Sequence, residues 1–512
     1  MAAGGDGNWR APTVIVVVVF VVSRVAYYLA GVRFLWHHAP VYLHFLDPVA
    51  LKHHLLQSLW YDHAQPPGLN LVWGLALKVS PGAPDRVLWP LFLAIGLATS
   101  LLLLHLLKRV GLRARWAVAL VVAWTVSPTA ILLETYLLYT PFEVFGVLAV
   151  ALLFARWVER GRPLDIVALG ALVATLGLTR ATFHLVWIVG LFALAALLRR
   201  DRWRTAAVWS LLPILLVGGW YAKNQAEFGF FGPSSWMGNN LSRITVEQLP
   251  RSERLRLASG DQGLSDVAAY PAFATFAEMD RPPSDPPHSG PHGVQILDEV
   301  TRTGNPFPNQ RNRGYLEISR LRLADAKWVI RHRPGAYLRG VGRASSLTFG
   351  LPADFFGYGP NVDHLRGLVT AERWALGGWQ AQPPPADDRL GRWGDGGRHE
   401  WIVLAAYVLA LALVPARWLR RRSWRTPTAA DALVAVTWAT VAYLTAVTIA
   451  LDFGENNRFR SVTDPAVLVL LAWLVTSRGR HEVGGQAGVG EGTRHVAAEE
   501  VDPEGIEPVP AQ

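Results

Sequence analysis

Apolar runs recur along the whole chain, and several approach the roughly 20 residues that a helix needs to cross the hydrocarbon core of a bilayer. A chain with so many apolar segments can bury them only against lipid and against one another, and helices satisfy their own backbone groups there. The fold class is therefore an all-α polytopic membrane protein. We predict ten spans, near residues 12–30, 87–107, 115–132, 141–157, 164–180, 183–198, 205–221, 400–416, 429–450 and 463–476.

Four connections between the predicted spans are strongly basic, and they indicate the orientation of the chain. Lys and Arg concentrate in cytoplasmic loops, so we place residues 108–115, 156–162, 199–204 and 417–425 in the cytoplasm. Both termini then lie in the cytoplasm, and the protein is predicted to cross the cell (plasma) membrane many times. This placement also accounts for the net charge of +10 without nucleic acid as a partner. The absence of cysteine excludes disulfides and thiolate chemistry.

The same reasoning divides the chain into segments. Residues 1–11 form a cytoplasmic N-terminus, 12–221 an N-terminal transmembrane module that contains an external loop at 31–86, 222–399 a second large external loop, 400–477 the C-terminal transmembrane helices, and 478–512 a disordered cytoplasmic tail.

Both external loops are predicted to carry helices that lie at the membrane surface. The helix from Gly68 to Val79 is too short to span a bilayer, so we assign it to the first loop. In the second loop, "YLEISRLRLADAKWVI" has helical periodicity with basic residues on its polar face, which is typical of an interfacial helix. The Pro-rich stretch "DRPPSDPPHSGPHG" is predicted to be irregular.

Unusual polar residues gather at the predicted external ends of the spans. Ionisable groups near lipid are costly unless they are paired or used, so we expect them to line one polar cavity that opens outward. Cations suit an anionic group such as a phosphate, and a carboxylate can act as a general base. The candidates are Asp47, Asp62, His63, Glu134, Arg180, His184, Lys223, Asn224, Glu455, Asn457 and Arg458.

Several candidates also have a structural alternative. Asp47 precedes a proline and fits the N-cap of a helix, while Asp62 and His63 fit an ordinary loop or turn. Arg180 and His184 flank a tight reversal, where both side chains could reach the membrane surface.

Two further features bear on the same end of the molecule. The segment "DFGENNRFRSVTDP" packs two acids, two Asn and two Arg at a membrane boundary, which an ordinary connector does not need. Arg24 lies inside the first predicted span, so we expect it to face the interior of the helix bundle.

Several segments together resemble the GT-C glycosyltransferases, a superfamily that includes protein O-mannosyltransferases and transferases of bacterial lipid and cell-wall glycans. The resemblance covers residues 10–475, and it starts from one span followed by an external loop with an acidic residue. Its motifs are "HAQPPGLNLVWGLALKV", "ETYLLYTPFEVF", "LTRATFHLVW", "WYAKNQAEFGFFGPSSW" and "GENNRFRSVTDP". The chain departs from the family pattern in having Asp47 alone instead of a paired acidic motif, and in the Ala64-Gln65 insert between His63 and the proline pair.

The resemblance implies transfer of a sugar from a polyprenyl-phosphate donor to a hydroxyl of a glycan, lipid or protein acceptor outside the cell. It implies inversion with Asp47 as the base, Asp62 as the reserve, and Arg180, Lys223 and Arg458 on the phosphate. The remaining candidates (His63, Glu134, His184, Asn224, Glu455 and Asn457) would bind or orient substrate. No metal is required, although an Asp, Glu, His and Asn set could hold a divalent cation. Two alternatives stay open, a lipid-linked glycan polymerase or ligase and a lipid or solute transporter.

Overall fold

The computed structural model describes residues 9–260, 263–379, 400–421 and 427–477. The predicted tail at 478–512 lies outside these ranges, as do parts of the predicted segments 1–11, 222–399 and 400–477, including residues 422–425 of the fourth basic connection. The described residues form, in chain order, the helices α1 Arg10–Leu29, α2 Pro48–His53, α3 Leu55–Trp60, α4 Gly68–Val79, α5 Asp85–Arg109, α6 Ala114–Val126, α7 Pro128–Glu134, α8 Thr140–Arg160, α9 Pro163–Thr179, α10 Leu185–Leu198, α11 Trp203–Phe228, α12 Met237–Ile244, α13 Arg251–Ala258, α14 Gln295–Asp298, α15 Gly314–His332, α16 Pro334–Thr348, α17 Gly359–Ala375, α18 Trp401–Arg420, α19 Ala429–Leu451, α20 Asn456–Arg460 and α21 Asp464–Thr476.

Every predicted span coincides with one of these helices or, at 115–132, with two, and the class of helical membrane protein is confirmed. Within the described ranges, α1, α5, α8, α11, α18 and α19 are long and apolar enough to cross a membrane, and α6 with α7 makes a seventh if the bent pair is one span. The apolar helices α9, α10 and α21 are shorter, with 17, 14 and 13 residues, so length alone does not establish ten spans. Large apolar side chains lie exposed on α1, α11 and α18, as lipid-facing surfaces require.

The predicted span 115–132 is broken by a proline. Pro128 lacks an N–H and forces Ser127 out of helical geometry, to φ −64° and ψ 140°. The Ser127 hydroxyl then accepts from Ala130 N and caps α7. Helices α6 and α7 therefore meet at an angle of 56°.

The basic connections meet at one end of the helix bundle. Arg109 after α5 pairs with Glu159 at 3.1 Å, and Arg202 before α11 donates to Gly161 O at 3.1 Å. In the described part of the fourth connection, Arg417 donates to Leu474 O of α21 at 3.1 Å, and Thr476 at the end of α21 donates to Val110 O in the first connection at 2.8 Å. The grouping of basic segments on one side, predicted from charge alone, thus matches the packing of the described residues.

The segment 31–86, predicted to be external, folds around short helices as expected. The Asp47 carboxylate accepts from Val49 N and begins α2, and α4 has the predicted bounds. Asn70 on α4 accepts from Leu46 N at 2.9 Å, which fixes α4 against the chain before α2.

The segment 222–399, predicted to be external, contains more helix than expected. Helix α11 continues to Phe228, so Lys223 and Asn224, which follow the predicted span 205–221, lie on the same helix and not in a loop. The amphipathic stretch forms α15 as predicted, and residues 280–293 are irregular. A hairpin of β1 Thr301–Arg302 and β2 Asn305–Pro308, antiparallel, with Arg302 opposite Asn305, precedes α15.

An ion pair holds α1 to α7 inside the bundle. Arg24 Nε donates to Glu134 Oε2 at 2.9 Å, and Arg24 Nη2 donates to Oε1 at 2.5 Å. The absence of a side chain at Gly96 makes room for the carboxylate, since a Cβ there would lie 2.2 Å from Glu134 Oε1. The expectation that Arg24 faces the bundle interior is confirmed.

Removing one partner of this pair should cost far more than removing both. We expect Arg24→Met to lower the free energy of unfolding by about 3–5 kcal/mol, because it leaves a buried carboxylate unpaired. The double variant Arg24→Met/Glu134→Gln should recover most of that loss. Titration with SDS in mixed micelles measures the free energies, and additive losses would contradict the pairing.

Candidate functional site

A large cavity lies at the end of the bundle opposite the basic connections. Its volume is about 2260 Å³, which is more than one small ligand fills. One wall is formed by membrane-helix residues, among them Val186 of α10 and Tyr443, Val447 and Leu451 of α19. The rest of the lining comes from the segment 452–459, from α12 and α17, and from loops within 31–86 and 222–399.

Arg180 brings a positive charge to this cavity at the end of α9. Its guanidinium lies between the rings of Tyr139 and Phe459, 4.6 and 3.9 Å from their centroids, and Nη1 donates to Glu143 at 2.9 Å. Stacking and pairing make the burial of the charge tolerable. Arg180 still has N–H donors beyond the one that Glu143 uses, so it can also bind an anion in the cavity.

Arg243 on α12 supplies a second cation. Its guanidinium lies against Gly454, where a Cβ would be 1.9 Å from Nη2. Gly454 has φ +130°, a conformation that residues with a side chain rarely adopt. Among the described residues, the Arg243 guanidinium has no hydrogen-bond partner and no carboxylate within 4 Å, although Asp452 is close enough to feel its charge.

Asp452 follows α19 and presents a carboxylate to the cavity. One oxygen accepts from Phe453 N at 2.8 Å, and the other accepts no hydrogen bond from the described residues. Burial raises the pKa of the Asp452 carboxyl, and Arg243 opposes that effect. A carboxylate with a raised pKa and an open oxygen is a competent proton acceptor.

Glu455 and Arg458 form a tight unit beside Asp452. Glu455 accepts from the Tyr42 hydroxyl at 2.6 Å and from Arg458 Nη2. Burial is the largest single influence on Glu455 and acts to raise its pKa, but Arg458, His44 and the hydrogen bond from Tyr42 together outweigh burial and lower that pKa to about 2. Arg458 also donates to Thr140 Oγ1 at 2.8 Å. Glu455 lines the cavity, whereas Arg458 lies behind the wall.

Asn457 also lines the cavity, and its amide donates to Leu351 O at 2.8 Å. His184 lines the same space, and its ring accepts from Val186 N as the N-cap of α10. Of the eleven candidates, the structure thus brings four to the cavity, namely Arg180, His184, Glu455 and Asn457.

Neither predicted base reaches the cavity wall. The Asp47 oxygens accept from Val49 N and from Thr303 N, each at 2.7 Å. Asp62 is fully buried and accepts from Ala64 N at 3.0 Å. Asp47 thus has the geometry of a helix N-cap, and Asp62 that of a buried turn residue. The choice of Asp47 or Asp62 as the base stays a prediction that this geometry does not support.

His63, Lys223 and Asn224 lie behind the wall, where they support the loops. Lys223 Nζ lies 3.6 Å from the Trp220 ring centroid and 3.4 Å from Asp62 O. The Asn224 amide donates to Gly232 O at 2.7 Å. Glu134 is engaged with Arg24, as described above.

Arg311 is a central residue that sequence reasoning missed. It donates to the carbonyls of Leu43, His44 and Phe45 and to Asp62 Oδ1 at 3.3 Å. Its signal in the sequence is "NQRNR" at 309–313, five consecutive polar residues that are all buried. Arg243 was missed because it is an ordinary arginine on a short helix.

Among the described residues, no three His, Asp or Glu side chains are grouped so that they could hold a metal ion. Comparison with protein-family models, with curated proteins and with solved structures finds no match for the chain.

His63 should make stability depend on pH. Its Nε2 lies 2.9 Å from Arg311 O, which can only accept, so Nδ1 accepts from the Ser235 hydroxyl at 2.8 Å. Burial lowers the pKa of His63 to about 3, so the unfolded chain binds a proton between about pH 6.5 and 3 that the folded protein does not. The free energy of unfolding should therefore fall with decreasing pH, by at most about 1.4 kcal/mol per pH unit from this histidine.

The variant His63→Gln should show a shallower decline over that range, measured by SDS titration at several pH values. Other buried groups, such as Asp452 with its raised pKa and opposite slope, are common to both proteins. The difference between the two curves therefore isolates His63, and parallel curves would contradict the assignment.

Proposed function

We propose that the protein is an integral membrane glycosyltransferase that transfers a sugar from a polyprenyl-phosphate donor to an acceptor hydroxyl. The observation that carries this proposal is a cavity whose wall is apolar at Val186 of α10 and along α19, and charged at Arg180, Arg243 and Asp452. A lipid-linked sugar phosphate has the same division, with an apolar chain, an anionic phosphate and a polar sugar. Val186, which lines the cavity, is 67% exposed, as an entrance from lipid would require.

The orientation follows from charge. With the basic end of the bundle in the cytoplasm of a cell with a single plasma membrane, the cavity opens on the extracytoplasmic side. The full topology proposed is ten spans with both termini cytoplasmic, in which the short helices α9, α10 and α21 cross where the bilayer is locally thinned.

The proposed reaction has one displacement step. The acceptor oxygen bonds to the anomeric carbon as the bond from that carbon to the phosphate oxygen breaks. The hydroxyl proton passes to the Asp452 carboxylate, and the negative charge that grows on the departing polyprenyl phosphate is stabilised by Arg180. One base and no covalent intermediate give inversion at the anomeric carbon.

The position of Asp452 supports it as the base in place of the first-loop aspartates. Asp452→Asn should lower kcat by about 10²–10⁴-fold with little change in fold, since the two side chains have nearly the same shape. Asp47→Asn is the matched control and should lower kcat by no more than a few-fold, because Asp47 lies outside the cavity wall. Its amide oxygen can still cap α2 at Val49 N, and only the hydrogen bond from Thr303 N is lost. The measurement is release of free polyprenyl phosphate from a purified protein in nanodiscs.

A panel of polyprenyl-phosphate sugars with neutral oligosaccharide, lipid and peptide acceptors tests the function itself. Loss of activity in Asp47→Asn but not in Asp452→Asn would return the base to the first loop. If no donor loses its sugar and a lipid-linked sugar instead crosses the bilayer in liposomes, the protein is a transporter. If only diphosphate-linked donors react, it is a polymerase or ligase.

A further inference from the structure

Arg243 is a partly buried cation with no partner within reach among the described residues, which is unusual. Long cationic side chains inside a protein are ordinarily paired or in water. The other cavity arginines show the ordinary pattern. Arg180 pairs with Glu143 at 2.9 Å, Arg366 pairs with Asp363 at 2.8 Å, and Arg343 donates to Gln248 Oε1 at 2.8 Å.

The position of Arg243 is set by close helix packing. A Cβ on Gly238 of α12 would lie 2.0 Å from Ser319 O of α15, and one on Gly340 of α16 would lie 2.0 Å from Ile244 O of α12. Backbones can approach this closely only where the side chain is a hydrogen atom. Helix α12 is therefore held against two neighbours, and Arg243 extends from a fixed base into the cavity.

Gly454 provides the space that the guanidinium occupies. Its φ of +130° disfavours a side chain, and a Cβ at this position would lie only 1.9 Å from Arg243 Nη2. The absence of a side chain at Gly454 makes room for the Arg243 guanidinium, with Nη2 nearest, beside the chain that carries Asp452 and Glu455. The guanidinium carries five N–H donors in a planar fork that matches phosphate oxygens.

We infer that Arg243 binds the phosphate of a phosphate ester in the cavity, with Gly454 as the residue that positions it. The inference rests on the proposed function for the identity of the ester, a polyprenyl phosphate, and adds a residue that the sequence analysis did not single out. Arg243 is placed here as a substrate-binding residue, while Gly454 acts only through it.

Binding measured without turnover tests the inference. A short polyprenyl phosphate is titrated into the full-length protein in nanodiscs, with the corresponding polyprenol and inorganic phosphate as separate arms. Arg243→Gln should weaken binding of the polyprenyl phosphate at least ten-fold and leave binding of the polyprenol within two-fold. The affinity of Arg243→Lys for polyprenyl phosphate should lie between those of the wild type and Arg243→Gln, since lysine keeps the charge but lacks the planar fork of donors. Arg331→Gln, an exposed arginine on α15, is the matched control and should have no effect.

Gly454 is tested by a double-variant cycle. Gly454→Ala should weaken binding of the polyprenyl phosphate, and Gly454→Ala/Arg243→Gln should be no weaker than Arg243→Gln alone, because the glycine acts through the arginine. Gly342→Ala, where a Cβ meets nothing within 4 Å, is the control. If the losses in affinity for polyprenyl phosphate were additive, the role of Gly454 would be overturned. The single variants of Arg243 keep Gly454, so backbone strain from Gly454→Ala does not affect their results.

The outcomes separate this inference from the proposed function. Equal binding by the wild type and Arg243→Gln overturns the inference, even if sugar transfer occurs. Phosphate-dependent binding through Arg243 without transfer from any donor overturns the proposed function and keeps the site. Equal binding of inorganic phosphate and polyprenyl phosphate would identify a free-phosphate site and overturn the lipid ester as ligand.

Discussion

The buried guanidinium of Arg311 is the interaction on which the external part of the structure depends. The segment 43–45 runs without regular structure inside the protein, so its carbonyl groups cannot use a helix or a sheet, and Arg311 donates to three of them. The same guanidinium reaches Asp62 and packs on the Trp236 ring at 5.1 Å. Arg302 repeats the pattern and donates to Ala39, Tyr42 and Phe45 carbonyls. Arg302 and Arg311, both from the segment 222–399, thus hold the segment 31–86 in place, and loops of the two segments contribute to the cavity wall.

The charges at the cavity end fall into two physical groups. Most are paired with other charges inside the protein, as Arg24 is with Glu134 and Arg458 is with Glu455. In each pair, the attraction between the partners offsets the free-energy cost of removing them from water. A smaller group, which includes Arg180, Arg243 and Asp452, has hydrogen-bond donors or acceptors toward the cavity that no described residue uses. Only the second group has donors or acceptors left for a ligand, and the proposed chemistry is therefore built on it. Aromatic rings around Arg180 and Arg458 supply the remaining stabilisation without using N–H donors.

Helix positions followed from the sequence because apolar length is a local property. The errors have local causes as well. The run at 115–132 is one apolar segment, but Pro128 divides it into two helices. Helix α11 continues past Tyr221 to Phe228, with Lys223 against the Trp220 ring. The candidate site was predicted in part. Arg180, His184, Glu455 and Asn457 line the cavity, but Asp47 and Asp62 are turned toward backbone N–H groups, as capping aspartates commonly are.

Sequence alone identifies a helical membrane protein, places most of its apolar helices to within a few residues and groups its basic connections. Those features depend on hydrophobicity and charge summed over short stretches. Which polar groups satisfy one another, and which remain open, becomes visible only in the folded molecule, because that depends on contacts between residues far apart in the chain. Arg311 lies 249 residues from the aspartate it binds, and Arg243 lies beside Gly454 only because α12 packs against α15 and α16. No local pattern records such contacts.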